Sequence, residues 1–499
     1  MRGPAREPTP SPADGTHDAV RGSGTSRILP NTVYRATADV GSKLISVGFF
    51  VVMARVLGDD SFGAFTFGLS FAALVTVLAG FGQDAILTRE VARDRRRAHE
   101  YFANTIAIKL VLALPVMAAA VLGLSLVNMS STTRIVAILI SVAVLAELLA
   151  TTCFAVFQAY ERLGFLPIVI ISQRLFTAAV GIAAMAAGVG IEGVAAIYLG
   201  GSLLALAIAT VLLFRRIVRP RLAFDTARWW PLVRVAAPVG LALVAQVTLF
   251  RVDASILQIF EPVSVVGHYG AAYRLFESPL FIGWAVAAAV YPVFSRLANP
   301  DELRIVTERA LKLAVASTLP VALGAAILAG PVVKLLYGSE FNPSARVLAL
   351  LAPTIVLYSF NHVAGMLVLA RDRQAWLAWL YGVMAVENVA ANFATIPSFG
   401  MTAAAVNTSV TEVLLFLALA TLAWRLAGGL DWTRMLGGTL VAGAVSAALM
   451  LALRGSFAAG AVAGLAGYLI ALAAFERIAY PQDLRSVTRF LRRNVAPAR

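Results

Sequence analysis

The chain has 499 residues, of which 60% are hydrophobic and 14% charged, and its formal net charge is +14. Soluble domains are nearer half apolar and a quarter charged, so this composition, with a mean hydropathy of +0.82, excludes an ordinary soluble protein and points to a membrane one. One cysteine, Cys153, excludes a disulfide framework and a CxxC metal or redox site, and the positive charge lies mostly as arginine between apolar runs, which points to membrane topology rather than to nucleic acid.

Residues 1–31 are rich in Pro, Gly and Ser and contain no apolar core, so they read as a disordered cytoplasmic tail and not as a signal peptide. A spanning helix takes about 20 mostly apolar residues. That length places spans near 32–57, 61–86, 103–128, 133–158, 165–188, 191–214, 231–258, 264–293, 308–336, 345–370, 374–396, 400–425, 433–453 and 457–475. The fold class is therefore all-α, a polytopic membrane protein of about fourteen transmembrane helices. The expected organisation is a six-helix bundle over 32–214, a basic linker over 215–230, and a second six-helix bundle over 231–425. Two additional helices over 426–475 and a basic cytoplasmic tail over 476–499 complete it.

Loop charge alternates with this count. One side carries Arg89, Arg93, Arg95, Arg96 and Arg97, then Arg215, Arg216, Arg219, Arg221 and Arg228, and later Arg296, Arg304, Arg371, Arg373 and Arg425. The other side has only scattered cations such as Arg134, Lys334, Arg346 and Arg454. Positive loops stay in the cytoplasm, so the reading is an inner or plasma membrane protein with both termini cytoplasmic.

The chain also repeats itself. GDDSFGAFTFGLSF at 58–71 and EPVSVVGHYGAAYRLF at 261–276 each lead into a long apolar helix, with Gly63 and Phe65 matching Gly267 and Tyr269 at an offset of 204. The offset covers six spans, an even number, so the halves share one orientation about an axis along the membrane normal. A substrate path is then expected between them near the midplane.

Ionisable residues inside the spans are costly, at roughly 2.5–3.5 kcal/mol each at a helix centre, and so must face protein or water. Arg35, Asp39 and Lys43 recur at i, i+4 and i+8, within an arc of about 80° on one helix face. That stripe is either an ion-pair ladder or a cavity lining. Arg251 and Asp253, two apart, cannot share a face, while Arg274 and Glu277 at i, i+3 can pair locally. Asp84, Lys109, Glu147, Arg174, His268, His362, Glu387 and Glu412 are further candidates. No GxxxxGK[ST], HExxH or GxSxG segment occurs, and the inter-span loops are too short for a soluble catalytic domain, so the chain reads as a non-enzyme with no cofactor or metal.

Two segments carry a family resemblance. One is ARVLGDDSFGAFTFGLSF with GFGQDAILTREVAR, and the other is APVGL followed by RVDASIL, VVGHYGAAYRLFE and YPVFSRLA. Together they resemble the polysaccharide-export flippases (Wzx-type) of the multidrug/oligosaccharidyl-lipid/polysaccharide (MOP) exporter superfamily. His268 departs from the apolar or aromatic residue more usual at its position, which points to a titratable group facing a cavity. The resemblance implies two six-helix bundles plus two extra helices, a central cavity between the first, second, seventh and eighth helices, and access alternating between the membrane faces. It implies as substrate a polyprenyl-pyrophosphate-linked oligosaccharide, the repeat unit of a surface polysaccharide. The alternatives are another envelope lipid precursor (lipid II or teichoic-type) and a cation-coupled drug exporter.

On that reading the substrate-binding residues are Arg35, Asp39, Lys43, Arg251, Asp253, His268, Arg274 and Glu277, and the coupling candidates are Asp39, Asp84, Asp253 and Glu387. Expected partners are the lipid-linked oligosaccharide, membrane lipids, a coupling cation (H+ or Na+) and the polysaccharide polymerase machinery, with no nucleic acid. The topology is checked by reporter fusions at Arg93 and Arg219, both of which are expected to report cytoplasm; an outside signal at either means the span count is wrong.

Overall fold

The computed structural model describes the backbone over residues 15–218 and 224–480, and side chains from residue 41 onward within those ranges. Arg35 and Asp39 therefore lie outside the described side chains. Arg219, Arg221 and most of both terminal tails lie outside the described residues altogether.

No strand occurs among the described residues, and twelve helical stretches are long and apolar enough to cross a membrane. The first half runs α1 (Gly15–Gly80), α2 (Gln83–Arg93), α3 (Ala98–Leu126), α4 (Ser131–Ala159), α5 (Phe165–Ala186) and α6 (Ile191–Arg216). The second runs α7 (Trp229–Phe260), α8 (Val263–Glu277), α9 (Phe281–Arg296), α10 (Pro300–Ile327), α11 (Ala329–Tyr337), α12 (Ser344–Ala370) and α13 (Gln374–Leu426). The helices α14 (Trp432–Ala452) and α15 (Phe457–Ala479) follow.

Two of these stretches are too long for one crossing. At a rise of about 1.5 Å per residue, the 53 residues of α13 would span roughly 80 Å against about 30 Å of hydrocarbon. Gly400 breaks the helix at φ 54°, three residues after Pro397, and Gly58 breaks α1 at φ 78°. Only a residue without Cβ takes such a turn at little cost. Beyond each turn the chain folds back on itself. Phe50 meets both Phe62 and Phe65 across Gly58, while Asn392 pairs with Asn407, and Asn388 with Thr411, across Gly400. With both hairpins divided, fourteen passes are traced among the described residues. One further pass is interrupted midway: α8 and α9 form a single crossing bent at Ser278–Leu280, where Pro279 withholds an amide from the ladder.

The passes from α1 to α6 pack on one another, as do those from α7 to α13, and α14 pairs with α15 against α10. Lys312 and Glu476 (2.6 Å), with the Tyr468 hydroxyl donating to the Ala316 carbonyl (2.8 Å), fasten the last pair in place.

The halves meet where the repeat matched. A Cβ on Gly63 would lie 1.9 Å from the Val263 carbonyl oxygen, and one on Gly267 would lie 2.2 Å from that of Asp59. The equivalent glycines of the repeat thus let two backbones touch. Past the far end of α1, Gly82 does likewise with Gly240 on α7, a Cβ on Gly82 falling 2.6 Å from the Gly240 amide nitrogen. Gly63→Ala should accordingly destabilise the protein by about 1–3 kcal/mol through overpacking. Thermal unfolding of the purified chain checks this against Gly123→Ala, whose Cβ meets nothing within 4 Å.

Candidate functional site: a cationic cavity between the halves

A cavity of about 570 Å³ lies between the two glycine crossings. Its wall is mostly apolar and aromatic, with Phe50, Phe250, Phe281, Trp284, Tyr337 and Tyr358, and its charge comes from Lys43, Arg274 and Glu277. The kink at Ser278–Leu280 turns the α8–α9 crossing so that Glu277, Ser278 and Phe281 all reach the same space.

Glu277 organises the charge. Its Oε1 accepts from Arg251 at 2.8 Å, and its Oε2 stands 3.8 Å from Arg274. The Arg274 guanidinium also covers the Phe50 ring (4.0 Å), and the Lys43 ammonium covers Phe281 (4.8 Å), so both cations rest on aromatic faces rather than in lipid. Two guanidiniums gather round this carboxylate and Lys43 lines the same wall, so the described side chains there number three cations and one carboxylate. Arg251 touches this group through Glu277 and is not on the cavity wall itself.

Both ends of the cavity are closed. At the Gly63–Gly267 crossing Asp59 stands 3.1 Å from His268, whose ring meets Phe341 edge-on at 5.7 Å. Arg55 donates to the Leu336 carbonyl (2.7 Å) and to that of Leu335, tying α1 to the end of α11. His268 thus sits in this closure and not in the cavity lining. At the opposite, arginine-rich end, Asn104 Oδ1 accepts from the Trp229 indole (2.9 Å) and from the Asp225 amide (3.0 Å). Arg228 pairs with Asp225 at 2.7 Å and with Glu100. Asp84, near Gly82, is neutralised by the buried Lys109 at 2.6 Å and takes a hydroxyl from Thr151 at 2.7 Å.

Asp253 faces away from the cavity, 1% exposed, into the second half. Its oxygens accept from Tyr269 (2.8 Å), Asn392 (2.6 Å) and Thr408 (2.7 Å). Glu387 stands at the far end of the same network: it accepts from Thr411 (2.9 Å), which Asn388 reaches at 3.2 Å, and Asn388 in turn accepts from Asn392 at 3.0 Å. Sequence reasoning named the two acids separately and missed the amides between them. The signal was present in VENVAANF, where two asparagines lie at i, i+4 inside an apolar span. Asp59, Arg55 and Phe341 were also missed, because a charge at a helix end reads as an ordinary loop residue. Among the described residues no cluster of three or more His, Cys, Asp or Glu could hold a metal.

Removing the Glu277 charge leaves two guanidiniums facing each other. A wholly buried pair broken this way costs about 3–5 kcal/mol; Arg251 and Glu277 keep 27% and 21% of their side-chain surface, so Glu277→Gln should cost roughly 1–3 kcal/mol. Thermal unfolding measures it, and restoration of stability by the further change Arg251→Gln identifies the repulsion as the cause.

The sequence matches the family described as "Polysaccharide biosynthesis protein" over residues 28–298. It is 22% identical over 374 residues to the probable low-salt glycan biosynthesis flippase Agl15 of Haloferax volcanii, which covers 74% of this chain and 77% of that protein. Among solved structures it is similar to the lipid II flippase MurJ in an inward closed conformation, with a TM-score of 0.77 and 13% identity, over 89% of this chain and 99% of that one. A multidrug resistance MATE family transporter of the MOP superfamily, inward-facing, aligns with a TM-score of 0.62 and 15% identity, over 78% of this chain and 96% of that one. The proteins it resembles are named as flippases and transporters rather than enzymes. With more than half of its length matched, the chain belongs to the polysaccharide biosynthesis protein family and has the fold of the MOP superfamily.

Proposed function

We propose that this protein is a flippase that carries a polyprenyl-pyrophosphate-linked oligosaccharide from the cytoplasmic to the outer leaflet by alternating access. The observation that carries the reading is the cationic cavity closed at both ends by contacts between the halves. A sugar head has many hydroxyls, each expensive to dehydrate without a new partner, and its pyrophosphate cannot enter hydrocarbon unpaired. Arg274, Lys43 and the Arg251–Glu277 pair offer that anion a place, and the aromatic wall offers faces against which sugar rings stack. Exposed Leu44, Phe281 and Trp284 flank the cavity on α1 and α9, where a polyprenyl chain could stay in lipid while its head enters.

The arginine-rich end would be cytoplasmic, and the Asp59–His268 end would face outward. Opening at either end would separate one glycine crossing while the other holds. A drug exporter for cations would need the opposite charge in this cavity. A different polyprenyl-pyrophosphate precursor fits the same anion chemistry, and the likeness to the lipid II flippase, which spans 99% of that chain, favours it as the second reading. The membrane potential assists outward movement of an anionic head by about 2.3 kcal/mol per charge per 100 mV. Of the coupling candidates with described side chains, Asp84 is already neutralised by Lys109, whereas Asp253 and Glu387 have only neutral donors.

Deletion of the gene is expected to remove surface polysaccharide and to accumulate its lipid-linked repeat unit; accumulation of lipid II instead selects the second reading. In the same cells Arg251→Ala should abolish export. Arg251→Lys should restore less than about a tenth, because a point charge loses the fork that orients Glu277 and a charged hydrogen bond contributes about 1.5–3 kcal/mol. Normal export by Arg251→Ala overturns the cationic-cavity assignment.

A further inference from the structure

Glu412 lies in the second half, on the returning arm of the α13 hairpin, and takes no part in the groups described above. It is half-buried, has no cationic partner among the described residues, and accepts one side-chain hydrogen bond, from Asn361 Nδ2 at 2.8 Å. Asp253 on α7, which accepts from Thr408 one helical turn before Glu412, has three donors and lines none of the cavities named here. Glu412 has one donor and borders a cavity.

That cavity is small, about 20 Å³, which is room for one water. It joins two larger ones. Phe250 and Tyr358 line both it and the central cavity, while Gln246, His362 and Tyr381 line both it and an apolar groove of about 430 Å³. The groove runs along α7 from Pro238 and along α12 to Leu369, beside Gln374, which places it at the arginine-rich end. The small cavity beside Glu412 therefore lies between the groove at that end, which His362 also lines, and the wall that carries Glu277 and Arg274.

A second observation points to a ligand at Glu412. Asn361 is 2% exposed, and its Oδ1 has no hydrogen-bond partner among the described residues. A carboxylate can only accept, and so leaves that oxygen orphaned; a carboxylic acid has an O–H to give. Groups facing the site from every packed helix are accounted for. They are Gln246 on α7, Tyr273 on α8, Tyr358 and His362 on α12, Tyr381 on the outgoing arm of α13 and Thr408 on its return. None is a fixed cation. His362 packs on Tyr358 at 4.7 Å, which sets its ring between the small cavity and the groove.

We propose that Glu412 is the proton-binding site of the transport cycle, loaded from the arginine-rich end through His362 and read by the central cavity through Tyr358. A hydronium ion arriving by the groove gives its proton to the Glu412 carboxylate, which forms the O–H; water is left as the conjugate base, and the carboxylate loses its charge. The second half then has one negative charge fewer beside Tyr358 and Tyr273, which alters how strongly the cavity holds an anionic head. The proposal rests on the flippase reading for its role in transport, but not for the existence of the site.

Two measurements test these separately. Infrared difference spectra of the purified full-length protein, recorded on acidification, are expected to show a protonated-carboxyl band that is lost in Glu412→Gln and kept in Asp253→Asn. A band unchanged in Glu412→Gln overturns the site. Glu412→Gln keeps a carbonyl oxygen for Asn361, so its folding is checked by its unfolding temperature. In liposomes of phosphatidylethanolamine and phosphatidylglycerol, flipping of a fluorescent polyprenyl-pyrophosphate-linked N-acetylglucosamine is followed with a pH gradient imposed at zero membrane potential. The wild-type rate is expected to follow the gradient, and the Glu412→Gln rate to be indifferent to it. A variant that still follows the gradient overturns the coupling role. If wild-type protein moves no probe at all, the flippase reading fails while the infrared result still decides whether Glu412 binds a proton.

Discussion

Glu277 stands between two guanidiniums inside a membrane, and most of the cavity's design follows from that placement. Hydrocarbon offers no water to a charge, so each cation within the spans needs an anion, an aromatic face or a wet surface. One glutamate serves Arg251 with one oxygen and faces Arg274 with the other, while Phe50 and Phe281 take the faces of Arg274 and Lys43. Two guanidiniums share this one carboxylate, so the arginine pair keeps an attraction for anions, held in place before any anion arrives. Because Arg251 comes from α7 and Arg274 and Glu277 from α8, the bend after Glu277 sets this geometry as much as the side chains do.

The closure of the cavity rests on a different constraint, how near two helices can come. Glycines facing each other at Gly63–Gly267 and at Gly82–Gly240 bring the backbones of the two halves into contact at two places, on α8 and on α7 of the second half. Around each crossing a few polar pairs span the halves: Asp59 with His268 at one end, Asn104 with Trp229 and Asp225 at the other. At the Gly63–Gly267 end apolar packing adds to these, with Phe62 meeting Tyr337 and Phe341 in a buried cluster shared by both halves.

Much of this was legible in the sequence. The spans followed from apolar length; the hairpin at Gly58 falls in the gap expected between 32–57 and 61–86, and that at Gly400 on the first residue of the expected span 400–425, although the helices run through both almost unbroken. The repeat offset paired Gly63 with Gly267, and the fold sets those two glycines against each other. Charge positions were visible too, because an arginine or glutamate in an apolar run stands out. Their directions were not. Nothing in RVDASIL says that Arg251 turns to Glu277 while Asp253 turns to Asn392 and Thr408, beyond the bare fact that neighbours two apart diverge. Neutral amides escaped notice because they carry no charge to count, yet Asn388, Asn392 and Asn407 bind the second half together. Arg35 and Asp39 remain sequence expectations, and of their stripe only Lys43 is placed against the cavity.

The two halves repeat one architecture but hold their acids differently, and the difference has a consequence for how the cycle can be driven. In the first half Asp84 is locked to Lys109, and Glu147 accepts from Gln173 (2.5 Å) and Ser202 (3.0 Å). These acids fix helices to one another. In the second half Asp253, Glu387 and Glu412 lie among tyrosines, amides and hydroxyls with no lysine or arginine paired to them among the described residues. An acid without a resident cation is one whose charge can be answered by a mobile one. Among the described residues the two halves thus hold their acids by different means. Because α7 and α8 belong to that second half and also supply Arg251, Arg274 and Glu277, a change of charge there reaches the cavity through the same helices that line it.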